Sequence, residues 1–353
     1  MVSGVSEGAS SPTVRDAYAQ AGVDITAGNR AVDRYREVTS GWRHPLQLGG
    51  IGGFSGLFAL PGDEQRVLVA STDGVGTKIL LAARHRMYDS VGADLVNHCV
   101  NDILVTRATP LFFLDYLAVG RLDPEVAARL VAGVQRACQA HRMALLGGET
   151  AEMPGLYAAD DFDLAGTIVG MVDRARLPDP GQVVPGDAIL GLPAIGLHTN
   201  GYSLARSVFA ESEWGQPLPG DPQQRTVIEA LLAEHPSYWE EITLLDSVVP
   251  IRTMAHITGG GLLENLPRSL PASVTAELDA QCWPVPAICS EIVRRAGLDE
   301  HDRYRILNMG IGYIVIVPAG DVPRALATLP QARLIGEIVA REEDAPQVRI
   351  RRP

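Results

Sequence analysis

The sequence predicts an α/β protein of two domains, and three observations carry that expectation. At 353 residues the chain exceeds what one ordinary core occupies. Its first half alternates strand-like and helix-like segments, the pattern of a layered α/β arrangement. Across 174–186 the stretch RARLPDPGQVVPG gathers three prolines and two glycines, a linker signal, and strand-like sequence resumes at Ala188. The expected division is a loose Gly- and Ser-containing tail at 1–15, a first domain at 16–173 and a second at 174–353.

The apolar run Val67-Leu68-Val69-Ala70 reads as a short strand. It feeds residues 71–78, STDGVGTK, the stretch the chain is organised around. Gly74 and Gly76 let backbone N–H groups approach an anion, Lys78 adds a positive charge, and Asp73 can hold a hard cation. A strand-to-helix turn, with Gly for geometry and Asp for capping, accounts for the same letters. Upstream, residues 49–56 form a glycine-rich loop. Ser55 stands where a dinucleotide fingerprint would place its third glycine, and no Lys-Ser or Lys-Thr follows as in a P-loop. That loop reads either as a flap over a nucleotide or as a packed turn.

Apolar spacing over 90–108 predicts a largely buried helix. Asp102 stands inside it beside Asn101, and an unpaired buried carboxylate is costly. A metal, a lysine or a hydrogen-bonded setting would each relieve that cost; His98, one turn earlier, reads as a packed helix residue. Residues 111–119 predict a strand containing Asp115, and Asp123-Pro124-Glu125 opens a helix running to about His141. Residues 143–146 predict the next strand, which delivers Glu149, and 162–172 another. Asp73, Asp102 and Glu149 at separate element ends point together to a metal-held phosphate.

In the second half, a strand at 188–192 leads to GLHTNGYSL at 196–204, which opens a helix with Asn200 or Ser203 available as cap. His198 in that dense polar phrase suits proton transfer or substrate binding, or simple hydrogen bonding to its neighbours. Gly259, Gly260 and Gly261 precede a helix, as an anion site or a tight turn would. Asn308-Met309-Gly310-Ile311-Gly312 precedes the strand at 313–317 and suits close backbone packing.

A formal net charge of −12 and a pI near 5.1 argue against a nucleic-acid surface. An anionic substrate must therefore be held by local groups against the global field. Cys99, Cys138, Cys282 and Cys289 show no C-x-x-C spacing, which suits reduced thiols in a cytoplasmic chain. No apolar run approaches the ~20 residues of a membrane span, and the N-terminal residues lack the regions of a signal peptide.

From about Tyr18 to Val339 the chain resembles the aminoimidazole ribonucleotide (AIR) synthetase family, the phosphoribosylformylglycinamidine cyclo-ligases of purine biosynthesis. The likeness rests on nine phrases in the family's order. They are AGVDITAGN (21–29), GGIGGFSGLFAL (49–60), STDGVGTK (71–78), CVNDI (99–103), PLFFLDY (110–116), GGETAEMPGLY (147–157), GLHTNGYSL (196–204), HITGGG (256–261) and NMGIG (308–312). The wider superfamily includes selenophosphate synthetase, thiamine-phosphate kinase, a hydrogenase-maturation protein and formylglycinamide ribonucleotide amidotransferase.

The resemblance implies ATP- and Mg²⁺-dependent closure of formylglycinamidine ribonucleotide into an imidazole. Asp73, Asp102 and Glu149 would hold Mg²⁺. Lys78 and the loop residues Gly52, Gly53, Ser55 and Gly56 would steady the phosphates, with Thr72, Gly74, Gly76, Thr77 and Asn101 alongside. His198, Asn200, Gly259, Gly260 and Gly261 would meet the substrate, and His198, Lys78 and Asp73 would be the catalytic set. The resemblance further implies an ATP-binding, dimer-forming first domain whose sheets join into a barrel-like core in a homodimer.

Two phrases depart from the family's pattern. Arg107-Ala108-Thr109-Pro110 replaces Gly-Ala-Glu-Pro, and Glu234-His235-Pro236-Ser237-Tyr238 replaces Pro-Thr-Arg/Lys-Ile-Tyr. They admit a paralogue activating a related amide, or a non-catalytic or regulatory ATP-binding relative. Intact Asp73, Lys78, Asp102, Glu149 and His198 favour the enzyme.

Overall fold

The computed structural model describes residues 21–351, so the expected tail at 1–15 lies outside them. Asp24 caps the first helix among the described residues, α1 (Ile25–Thr39), by accepting from the Ala27 N–H at 2.8 Å. Strands β1 (Gln47–Leu48) and β2 (Gly56–Ala59) bracket the glycine loop as an antiparallel hairpin. There follow β3 (Arg66–Gly74), α2 (Lys78–His85), α3 (Val91–Leu104), β4 (Thr109–Val119), α4 (Pro124–Ala140), β5 (Ala144–Glu152) and β6 (Phe162–Asp173). Asp123 accepts from the Glu125 and Val126 N–H groups and Pro124 takes the first helical position, so α4 starts where its sequence says.

These strands make one six-stranded sheet in the order β1-β2-β3-β6-β4-β5. Only β4 and β5 pair in parallel, with α4 as the crossover helix between them. Alternation along β6 sends Phe162, Leu164, Ile168 and Val172 inward onto α3. Every residue of α3 is buried. Gly92 and Gly133 let α3 and α4 close up: a Cβ at Gly92 would lie 2.2 Å from the Leu130 carbonyl oxygen. The sheet's outer face leaves Leu111, Leu114, Tyr116 and Leu146 exposed.

Two short 3-10 turns, Arg174–Arg176 and Pro180–Gln182, lead to the second half. Its elements are β7 (Ala188–Pro193), α5 (Tyr202–Val208), α6 (Val227–Leu231), α7 (Trp239–Asp246), β8 (Thr253–His256), α8 (Gly261–Asn265) and β9 (Val274–Asp279). They continue with α9 (Ala287–Ala296), α10 (Glu300–Ile306), β10 (Ile311–Val317), α11 (Val322–Thr328), β11 (Arg333–Ala340) and β12 (Val348–Arg351). The second sheet has the order β12-β9-β11-β7-β10-β8, and β10 is buried along its whole length. Among the described residues no helix is long and apolar enough to cross a membrane.

The two halves meet across a polar seam along α3. Both phrases that depart from the family's pattern sit in it. Arg107 has φ 60°, a conformation glycine takes freely, and so explains the glycine of the usual phrase. Here three hydrogen bonds hold the arginine instead, to Asp246 (3.0 Å), the Arg176 carbonyl (2.8 Å) and the Ile251 carbonyl (2.5 Å). In the other phrase, the Tyr238 hydroxyl donates to the Pro193 carbonyl at 2.9 Å and its N–H to Asn101.

Candidate active site

A cleft of about 550 Å³ opens between the hairpin edge of the first sheet and the second half. The glycine loop forms one wall. Arg36 on α1 holds that loop by donating to the Ile51 carbonyl at 2.9 Å. Gly52 has φ 106°, and a Cβ there would come within 2.3 Å of the Arg36 guanidinium. The end of β3 supplies Ser71, Thr72 and Asp73, and α3 supplies His98 and Asp102. Asn200, Thr258, Gly259 and Arg268 close the opposite side.

Asp73, His98 and Asp102 each offer a ligand atom within 4.8 Å of the other two. His98 Nε2 lies 3.4 Å from Asp73 Oδ2, while its Nδ1 meets Thr199 Oγ1 at 2.7 Å. Asp102 Oδ2 lies 3.3 Å from the Ser71 hydroxyl, which also reaches the Phe54 carbonyl, and its Oδ1 accepts from His256 Nδ1 at 2.8 Å. Burial raises the Asp102 pKa, although the charge of His98 pulls it down. Burial works against a charged His98, but the charge and hydrogen bond of Asp73, with Asp102 and Asp94 behind it, raise its pKa to about 9. Two carboxylates this close repel when both are ionised, and a cation between them relieves that cost.

The structure thus gathers Gly52, Gly53, Ser55, Gly56, Thr72, Asp73, Asp102, Asn200 and Gly259 around one cleft. It places the other expected site residues elsewhere. Lys78 does not face the cleft: it is fully buried, 2.6 Å from Asp94 Oδ2, and donates to the Ala233 carbonyl at 2.8 Å. As the first residue of α2 it points into the seam, where Asp94 offers a buried counter-charge. The turn before it follows: Thr77 Oγ1 meets Ser203 Oγ at 3.2 Å, and Gly76 backs onto the Thr199 carbonyl with Gly74 above it. Asn101 is buried in the same seam, donating to the Pro236 carbonyl at 2.9 Å.

Glu149 is exposed on β5 opposite Tyr116. The register runs Gly74–Ala165–Tyr116–Glu149, so three strand spacings, roughly 14 Å, separate it from the end of β3. The three acids therefore do not converge within one chain. His198 lies behind the cleft, buried, with φ 60° and its ring stacked on His235 at 4.2 Å between centres. Its ring nitrogens have no hydrogen-bond partner among the described residues. Burial, then the neighbouring His256, Lys78 and His98, push its pKa well below the usual range, leaving a neutral ring. Gly260 takes φ 96° ahead of α8, and Gly261 packs against the Tyr304 carbonyl, so both serve close packing.

Arg268 is the basic side chain the sequence reading missed. Its guanidinium lies 5.3 Å from the Phe54 ring centre at the cleft, and its position three residues beyond α8 gave no motif to find it by. His235 and His256 join His98 behind Asp102; both stand in phrases visible in the sequence, but no ligand spacing links them to one another or to His98.

Two α/β halves closing on a cleft lined by a glycine loop and adjacent carboxylates define a two-domain α/β protein with a polar cleft between its halves. Family models for the AIR synthase related proteins match the chain, the N-terminal domain over residues 55–172 and the C-terminal domain over 184–349. A phosphoribosylformylglycinamidine cyclo-ligase of Nitrosococcus oceani is 45% identical over 337 residues, covering 94% of each chain. One of Paraburkholderia phymatum is 46% identical over 317 residues, 89% of this chain and 88% of that one. The chain belongs to the AIR synthase family, among the phosphoribosylformylglycinamidine cyclo-ligases. In fold it is similar to tt0281 of Thermus thermophilus (TM-score 0.61, 20% identity, 91% of this chain and 95% of that one). It is also similar to the hydrogenase maturation protein HypE in complex with ATP (TM-score 0.59, 21% identity, 80% and 81%).

Proposed function

We propose that this chain is the ATP-dependent cyclo-ligase, closing formylglycinamidine ribonucleotide to 5-aminoimidazole ribonucleotide with release of ADP and phosphate. The observation that carries it is the adjacency of Asp73 and Asp102 beside the glycine flap. The flap also holds the Ser55 hydroxyl buried with no hydrogen-bond partner among the described residues. Paired carboxylates suit a hard divalent cation, and an unsatisfied hydroxyl beside glycine N–H groups suits phosphate oxygens, so the residues fit Mg²⁺ and ATP. When bound, Mg²⁺ supplies neutralisation of phosphate charge.

The chain's own residues then orient and enclose. Asp73 and Asp102 hold the cation, the backbone at Gly52, Gly53 and Gly56 cradles phosphate, and Arg268 supplies the positive charge expected of Lys78. The amide oxygen leaves as phosphate once it carries the transferred phosphoryl group, and the amidine nitrogen of the same molecule attacks the activated carbon. Holding both ends of one substrate in near-attack geometry is the cleft's main contribution. Asn200 and Gly259, opposite the flap, are placed to meet the ribonucleotide. His198 supports that wall from behind as a neutral ring.

A homodimer completes this reading. Leu111, Leu114, Tyr116 and Leu146 give the first sheet's outer face an apolar surface, which a second copy would cover to form a barrel-like core. Glu149 stands on that face, so any part it takes in cation binding comes across the interface. All four cysteines are free, which suits a reducing cytoplasmic setting.

Steady-state ADP release, with and without formylglycinamidine ribonucleotide, tests the proposal. Substrate-stimulated release matched by aminoimidazole product supports it. ATP binding without turnover points to a regulatory relative, and turnover only with another amide points to a paralogue.

A further inference from the structure

Three imidazoles meet in the buried seam: His98 on α3, His235 ahead of α7 and His256 at the end of β8. Their ring centres are 5.0–5.4 Å apart, and one nitrogen of each lies within 4.8 Å of the others. Hydrogen-bond accounting assigns their protons. His256 Nδ1 faces Asp102 Oδ1 at 2.8 Å, so Nδ1 carries the proton and Nε2 a lone pair. The Tyr238 N–H donates to Asn101 Oδ1 at 2.9 Å, which fixes the amide and turns Asn101 Nδ2 to His235 Nε2 at 3.3 Å. His235 Nε2 therefore presents a lone pair as well. Its protonated Nδ1 has no hydrogen-bond partner among the described residues.

The two lone-pair nitrogens lie 3.4 Å apart, and His235 Nε2 can turn from the Asn101 N–H to a cation because Asn101 Nδ2 keeps the Pro236 carbonyl as acceptor at 2.9 Å. Two acceptors at that distance repel, and a cation held between them turns the repulsion into two bonds. A tetrahedral zinc with Zn–N bonds of 2.0–2.1 Å sets two ligand nitrogens about 3.4 Å apart.

We propose that His98, His235 and His256 bind one zinc-type transition-metal ion that clamps the first domain to the second. His98 comes from the first domain and the other two from the second, so the ion ties α3 to β8 and to the segment before α7. Asp102 on the far nitrogen of His256 orients that ring as carboxylates do behind metal-bound histidines. An all-imidazole set selects zinc, cobalt, nickel or copper over magnesium, which distinguishes it from the carboxylate pair in the cleft. His98 and Asp102 also line the cleft, which gives the ion its way in. Metal binding takes His98 as a neutral ring, so any proton on the ligating nitrogen leaves to solvent. His235 stands where the family's phrase carries threonine, so the site belongs to this chain's own departure from the pattern.

Full-length protein stripped with chelator and titrated with Co²⁺ tests the proposal without any turnover measurement, so its result is independent of the cyclo-ligase reading. The expected result is one equivalent bound, with the intense visible absorption of tetrahedral cobalt, displaced by Zn²⁺. A melting temperature that rises with Zn²⁺ and falls on chelation is expected alongside. His235→Thr, which restores the family's residue, is expected to abolish the absorption and the Zn²⁺ response while the protein stays folded. His256→Gln serves as the second variant with the same expectation. Absence of Co²⁺ binding at micromolar concentration overturns the proposal, as does an unchanged cobalt spectrum in either folded variant.

Discussion

Lys78 Nζ and Asp94 Oδ2 lie 2.6 Å apart with neither side chain exposed to solvent, and they pin the start of α2 to α3 beneath the second domain. Asp94 Oδ1 also accepts from the His235 N–H at 2.7 Å, so the pair reaches across the seam. Removing one member leaves the other charge buried alone. Lys78→Met is expected to lower the unfolding free energy by about 3–5 kcal/mol. The double variant Lys78→Met/Asp94→Leu should regain most of that loss. Urea denaturation of both reads this out. A raised KM for ATP with stability untouched would instead return the ammonium to the phosphates.

In the proposed mechanism Asp73 would carry the cation-binding role most directly, since it lies near the end of β3 and lines the cleft. Asp73→Asn keeps the shape and removes one ligand charge. Turnover is expected to fall about 100-fold, a loss on the scale of the several kcal/mol a bound cation contributes. The melting temperature should stay near the parent's. Parallel titrations of rate against Mg²⁺ check the assignment: the variant should need more metal, and an unchanged Mg²⁺ dependence would count against Asp73 as a ligand.

Much of this site was legible in the sequence because its parts are local. The glycine flap, the acid at the end of β3 and Asp102 within an apolar helix each announce themselves by residue type and period. Lys78 misled because a helix-opening lysine after a glycine turn looks the same whether it faces a phosphate or a buried Asp94. Glu149 misled for a topological reason. It follows the strand expected at 143–146 as Asp73 follows the one at 67–70, but the strand runs on to Glu152, β6 and β4 come between β5 and β3 in the sheet, and strand order is not written in any one segment. The histidine group was invisible because its members come from three distant segments with no ligand spacing. His198 was noticed for its polar surroundings in sequence, whereas the fold buries it among rings.

Acid should loosen the seam before it unfolds the whole chain. Burial lowers the His141 pKa to about 4, while an unfolded chain has a value near 6.5. Its Nε2 sits 2.9 Å from Asn97 Oδ1, and Asn97 in turn donates to the His235 carbonyl. Below the unfolded value the unfolded chain binds the extra proton, so stability is full above pH 6.5 and drains as pH falls toward 4. Linkage sets the loss at about 3 kcal/mol by pH 4. His235 and His256, also held neutral chiefly by burial, add losses of the same sign. His141→Gln keeps a donor for Asn97 without titrating, so its stability should fall less between pH 6.5 and 4. Denaturation midpoints of both proteins across that range, with chelator present, give the difference; parallel curves would remove His141 from the account.

The outer face of the first sheet sets the last expectation. Leu146 is 63% exposed and Leu111, Leu114 and Tyr116 are each 37–40% exposed, on neighbouring strands of one sheet. Apolar side chains scattered over a surface need no partner, but a contiguous row on a sheet face does. Leu146→Asp places a charge in that row and leaves the inner core untouched, because β5 is exposed along most of its length. Sedimentation at micromolar concentration is expected to show a dimer for the parent and a monomer for the variant, with melting temperature lowered in a concentration-dependent way. Should Glu149 serve a cleft across this interface, Leu146→Asp and Glu149→Gln will lose turnover together, whereas a monomeric Leu146→Asp of full activity would show the cleft complete within one chain.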